Sequence, residues 1–323
     1  MINKTMNKMT LKRSFALIAI LIFTLCMSGC EEMPEETTTK REIFNFITDD
    51  AGRDVVFEKK PERIVVTSAS FLEPFHAVGG TVVGRPDSKT QMPDWAKNIT
   101  SIGQVYAVNP EKIILCSPDL VIVNKGMNEK LLDILEENNT LALVLDTKSY
   151  DSVKNEINIF GELTENTDQS KKIIDEMDSK INATIKKMPK DKHRVAILHS
   201  TAQGLSVQLE GSIAGSIVKM FGWENVAAGM TPLEGNPDAA PYSLETLAEQ
   251  NPEIIFVTSM GKIEDIKANM QHNIDTNPAW KSIGAIKSGK LYYLPQDLFL
   301  LSPGLRYPEA VETMAKLVYP KLK

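Results

Sequence analysis

The chain of 323 residues is too long for one small domain and about right for two lobes of ordinary size. With 36 basic and 42 acidic residues, a net charge of −6, 7% aromatics and no basic block, it is a poor nucleic-acid binder. Apolar residues at 42% supply real cores and exclude wholesale disorder, and three cysteines with four histidines are too few for a disulfide scaffold or a Cys-rich zinc module.

Residues 1–13 carry Lys4, Lys8, Lys12 and Arg13 and no acid. The apolar run from Phe15 to Leu25 is too short to span a bilayer of roughly 30 Å and has the length of a signal-peptide core. It ends in Cys26-Met27-Ser28-Gly29-Cys30, which resembles the lipobox of bacterial lipoproteins. That resemblance implies cleavage before Cys30 and lipidation of Cys30. The alternative is an uncleaved membrane anchor, and both readings put the rest of the chain outside the membrane. Residues 30–40 are acidic and Thr-rich, a composition that buries no face and reads as a solvated tether. After cleavage the chain has 294 residues with 32 bases and 42 acids, so its charge is about −10. Net charge therefore does not attract an anionic ligand, and selectivity must come from a few local cations. Cys116 is left without a partner for an intrachain disulfide.

Ile43–Ile47 and Val55–Phe57 read as a hairpin around Asp49-Asp50-Ala51-Gly52-Arg53. Ile64–Thr67 is an apolar run suited to a buried strand; Phe71–Val78 is helical and stops at Gly79-Gly80; Thr81–Gly84 is strand-like. Asn109-Pro110-Glu111 opens a helix, with Asn as N-cap and Pro in the first turn. Leu120–Val123 is strand, Glu129–Glu137 helix and Leu141–Leu145 strand. Ile174, Met177, Ile181, Ile185 and Met188 then form one apolar stripe, predicting a helix from about Thr167 to Met188, roughly 33 Å long. After it the β/α alternation restarts. Arg194–His199, Leu205–Leu209, Ile254–Thr258 and Leu291–Leu294 are strands. Ile213–Phe221, Ser243–Gln250, Ile263–Met270 and Glu309–Leu317 are helices. Pro118-Asp119-Leu120-Val121-Ile122-Val123 and Pro252-Glu253-Ile254-Ile255-Phe256-Val257 echo each other on either side of the long helix, which supports two related lobes. Strands alternating with helices imply largely parallel sheets.

The mature chain is similar, from about 42 to 322, to the substrate-binding proteins of ABC importers for iron siderophores, haem and cobalamin. The segments that carry the resemblance are Asp50-Ala51-Gly52-Arg53, Pro61-Glu62-Arg63-Ile64-Val65, Asn109 to Ile113 with Pro118 to Ile122, Tyr242 to Leu247, Asn251 to Ile255 and Ala285 to Tyr292. The resemblance implies an α/β fold of class III: two Rossmann-like lobes joined by one long backbone helix. It divides the chain into a signal at 1–29, a tether at 30–40, a first lobe at 41–149, a linker region at 150–189 and a second lobe at 190–323. It also implies a monomeric receptor without enzymatic activity or intrinsic cofactor or metal, lipid-anchored at the outer face of the cytoplasmic membrane. Such a receptor delivers an iron chelate, haem or cobalamin to a permease and its ATPase. A lipid-anchored sensor and an α/β enzyme are the alternatives. No nucleophile elbow, phosphate loop or His-Glu-x-x-His motif supports the enzyme.

The stretches Asn277 to Trp280, Leu298-Phe299 and Tyr307 to Ala310 resemble haem receptors of Gram-positive surface systems. Some of those receptors hold haem iron with Met in the first lobe and His in the second, positions that fall on Tyr106 and Met260 here. Both replacements are chemically able to ligate iron. Further ligand candidates are Arg306 and Arg85 for a carboxylate, with Lys125 beside them, Trp95 and Tyr242 for stacking, and His199 at a strand end. His76, His193 and His272 read as structural or surface groups. Glu73 and Glu245 match the acidic residues, one per lobe, that pair with permease arginines in the family. Each also suits a helix N-terminus.

Overall fold

The computed structural model describes residues 43–88, 92–201 and 204–322, so the expected signal, tether and Cys30 lie outside the described residues. At the start, β1 (Asn45–Thr48) and β2 (Asp54–Phe57) pair antiparallel. The turn between them is welded to the neighbouring sheet. The buried Asp49 carboxylate accepts from the backbone N–H groups of Ala51, Arg53 and Val144 and from the Arg53 guanidinium.

β-Branched runs buried on both faces build two inner strands of the first sheet, as expected of parallel strands covered by helices. Its strands are β3 (Ile64–Val66), β4 (Gly84–Asp87), β5 (Thr100–Gln104), β6 (Ala107–Val108), β7 (Leu120–Asn124) and β8 (Leu141–Leu145). They lie in the order β6-β5-β4-β3-β7-β8, and only β6 is antiparallel. Helices α1 (Leu72–Ala77), α2 (Pro110–Leu115) and α3 (Leu132–Glu137) connect them, and Asn109 caps α2 as expected, accepting from the N–H of Lys112. Two helices follow, α4 (Tyr150–Leu163) and the 21-residue α5 (Thr167–Lys187), the expected long linker helix.

The second sheet contains β9 (Arg194–Thr201), β10 (Gly204–Gln208), β11 (Glu224–Asn225), β12 (Ala239–Pro241), β13 (Ile254–Ser259) and β14 (Leu291–Tyr293). Its main order is β12-β10-β9-β13-β14, with β9, β13 and β14 parallel and β11 beside the start of β9. The helices are α6 (Ile213–Met220), α7 (Leu244–Gln250), α8 (Ile263–Thr276), three short helices α9 (Pro278–Ser282), α10 (Gly284–Lys287) and α11 (Gln296–Phe299), and α12 (Tyr307–Val318). The two echoing segments become β7 and β13, each an inner strand of its sheet.

Alternate residues of each strand enter different cores. Val66, Leu120 and Ile122 join Val195, Ile197, Ile254 and Phe256 in one core with α4, α5 and α12, whereas Val65 and Val121, and Ala196 and Ile255, enter separate cores on the opposite faces. The chain is thus an α/β protein of two lobes linked by a long helix.

Three local expectations change. The strand expected at Thr81–Gly84 forms at Gly84–Asp87. A Cβ at Gly84 would meet Val65 at 3.0 Å, Cys116 at 3.1 Å and Ile102 at 3.2 Å, so glycine permits the close approach there, and a register shift between Arg85 and Asp87 accommodates Pro86. The helix expected at Ile263–Met270 runs on to Thr276, and the segment from Gly103 to Tyr106 contains the end of β5 and a tight turn into β6. Helix α4 was not expected, because buried Glu156 interrupts its apolar stripe of Val153, Ile157 and Phe160.

Candidate functional site

In the first sheet the chain steps from β3 to β4 and β5 on one side and returns to β7 and β8 on the other. Such a reversal opens a crevice at the carboxyl ends of the strands. The Thr67 hydroxyl accepts from the N–H of Asn124 at 2.9 Å and joins the ends of β3 and β7. Around these ends, and around the end of β13 in the second lobe, lie three of the nine large apolar side chains left exposed among the described residues: Tyr106 at 73%, Met127 at 43% and Met260 at 54%. Exposed apolar side chains gathered on strand-end loops mark a binding surface.

The loops are held from behind. In the first lobe, the buried Asn128 side chain donates to the Val105 carbonyl at 3.0 Å and ties the Met127 loop to the Tyr106 turn. In the second, the N–H of Met260 donates to Ser200 O at 3.0 Å, and Gln296 Nε2 donates to Ser259 Oγ at 3.1 Å and to Gly261 O at 2.7 Å. Each loop also carries a lysine, Lys125 before Gly126-Met127 and Lys262 after Met260-Gly261, the former half-buried and the latter exposed. Met127, Lys262, Asn128 and Gln296 were not singled out from sequence. The signal for the first two was present: Lys-Gly-Met follows β7, and the reverse, Met-Gly-Lys, starts at the last turn out of β13.

His199 lies near the end of β9, half-buried, with Nδ1 2.9 Å from Thr258 Oγ1. Burial holds its imidazole below the usual range, so it stays neutral. The other candidates are placed differently. Arg85 is 9% exposed, and all three guanidinium nitrogens are engaged by Ala96 O, Pro86 O, Lys97 O and the Asp87 carboxylate. It pins the 94–97 segment and presents no cation to a ligand. Trp95 stacks on His76, with ring centroids 4.1 Å apart. Tyr242 packs beside Trp280, and both line a separate concavity of about 340 Å³ with Leu205 and Leu244; burial pushes the Tyr242 phenol up. Arg306 is bidentate to Glu309 at 2.7 and 2.8 Å and lies 3.0 Å from Asp297, so two carboxylates neutralise it. Glu73 and Glu245 stand exposed in the first turns of α1 and α7, and neither makes an ion pair among the described residues. Ser243 caps α7 by accepting from the N–H of Thr246. Among the described residues no group of three or more His, Cys, Asp or Glu is placed to hold a metal ion.

The family model for periplasmic binding proteins matches residues 64–298, well over half the chain. An Fe(3+)-citrate-binding protein of Bacillus subtilis, YfmC, is 27% identical, with 98% of each chain covered. An ABC transporter substrate-binding protein of Listeria monocytogenes superposes with a TM-score of 0.73 at 26% identity, covering 81% of this chain and all of the other. The haem complex of Staphylococcus aureus IsdE superposes with a TM-score of 0.71 at 24% identity, covering 80% and 98%, a likeness of fold. The chain belongs to the periplasmic binding protein family, whose members include the substrate-binding proteins of ABC importers.

Proposed function

We propose that this receptor captures an iron-bearing macrocycle of the haem type between the strand-end loops of its two lobes. The observation that carries the reading is the pair of exposed side chains Tyr106 and Met260, one per lobe, each on a loop braced by buried or paired groups. A phenolate oxygen suits ferric iron and a thioether is a competent axial ligand. Met127 adds apolar contact, and Lys125 and Lys262 supply cations for peripheral carboxylates. His199, neutral with Nε2 left over, is a further contact in the second lobe.

Cys30 carries the lipid that holds the receptor at the outer face of the cytoplasmic membrane, and Glu73 and Glu245 dock it on arginines of the permease. Their exposure in the first turns of α1 and α7, with no ion pair among the described residues, supports that role. A second reading, a ferric hydroxycarboxylate chelate, is favoured by the likeness to the Fe(3+)-citrate-binding protein.

Gel filtration after incubation with haem, ferric citrate or cobalamin separates these readings. A Soret band that co-elutes with the protein and is lost in Tyr106→Phe supports haem held by Tyr106. Haem eluting after the protein, with ferric citrate co-eluting, supports the second reading and removes the first.

A further inference from the structure

Glu156, on α4, is 1% exposed, and neither of its carboxyl oxygens has a hydrogen-bond partner among the described residues. The charged groups that bear on it are the carboxyls of Asp50, in the hairpin turn, and Asp146, at the exit of β8. Asp50 accepts the N–H of Asp146 at 2.6 Å, so these two are fixed side by side.

Arg53 pairs with Asp49, Lys148 with Asp238 and Lys154 with Asp151; Lys125 bears on Asp50 through space, and none of the four bears on Glu156. Of the helices packed on α4, α1 brings Glu73 and His76, both exposed. Helix α5 brings Asp178, held by the Tyr150 hydroxyl, and α6 brings Lys219, paired with Glu210. Nothing in reach compensates a negative charge on Glu156, and burial, reinforced by Asp50 and Asp146, holds its carboxyl well above the usual range. These carboxyls do not form a cage for a metal ion, so the occupant that fits is a proton.

We propose that Glu156 is a buried proton-binding group and that its ionisation, against the Asp50 and Asp146 carboxyls, loosens the junction between edge strand β8 and helix α4. The junction is the way into the helical linker. Lys148, two residues past Asp146, pairs with Asp238 of the second lobe, and its carbonyl accepts from the Tyr307 hydroxyl of α12 at 3.3 Å. The same proton therefore sets how firmly the lobes are joined.

The sign follows from linkage. The folded chain keeps a proton that the unfolded chain releases above its ordinary value of 4.5, so stability falls as pH climbs above that value, until Glu156 ionises in the folded state as well.

Thermal melting of the mature chain between about pH 4.5 and pH 9 tests this. The midpoint of the wild type should fall by more than about 4 °C relative to Glu156→Gln towards the alkaline end, the two profiles meeting near the acid end. Asp146→Asn should lie between them, and it carries the test if Glu156→Gln fails to fold. Amide exchange over residues 144–150, corrected for its intrinsic pH dependence, should rise with pH in the wild type and not in Glu156→Gln. Parallel melting profiles, or exchange that responds equally in both, would overturn the proposal.

Discussion

The two lobes brace the same kind of loop in different ways. In the first, Gly126 turns the chain at φ +75° and the brace is the buried Asn128 amide reaching the Val105 carbonyl, sealed from water. In the second, Gly261 turns it at φ +136° and the brace is the half-buried Gln296 side chain, at a position water reaches. A hydrogen bond in a dry interior leaves an orphaned group when it is removed, whereas one near solvent exchanges with water at small cost. Under the proposed function, the first half-site is therefore built before the ligand arrives, and the second is the one that adjusts.

The largest expected effect treats the lobes as equals. Glu73→Ala combined with Glu245→Ala should reduce cellular uptake to background while purified protein binds ligand as before; uptake at wild-type level would remove the docking role. The next separates the lobes. Asn128→Leu strands the Val105 carbonyl and should cost about 1–3 kcal/mol in denaturant unfolding, with weaker ligand binding through a loosened Tyr106 turn. Gln296→Ala should cost less, about 0.5–1.5 kcal/mol, and act mainly on the ligand off-rate. Equal unfolding costs would abolish the distinction between a dry and a wet brace. The smallest effect is expected of Arg306→Ala. Its ion pairs are half exposed, so stability should change by less than about 1 kcal/mol and affinity hardly at all. A large loss of affinity would return Arg306 to the ligand.

What the sequence revealed and what it hid follow from where the energy lies. Leu120–Val123 and Ile254–Val257 declare themselves because a strand stretch buried on both faces must be apolar. The long helix declares itself through Met177 and Ile181, which face its packed side. Gly84-Arg85-Pro86-Asp87 is a strand only because neighbouring strands demand a residue without Cβ at 84, a tertiary reason absent from local composition. Arg85 illustrates the same limit for the site. A guanidinium on a loop reads as a ligand contact, yet its neighbours are the carbonyls of residues 86, 96 and 97, which no spacing rule announces. Tyr106 and Met260 stand out only through the resemblance to haem receptors, whose iron-ligand positions fall on them; composition and spacing alone do not mark them. Asn128 does not stand out, since its role is to reach a carbonyl 23 residues away.

The central claim is that one ligand is held from both lobes by Tyr106 and Met260. Haem titration of Tyr106→Ala, Met260→Ala and the double variant, followed at the Soret band, tests it most directly. The account predicts that each single substitution weakens binding at least about tenfold and that the double variant loses less than the sum of the two, because both act on one bound iron. Binding unchanged in Met260→Ala would confine the ligand to the first lobe and contradict the account.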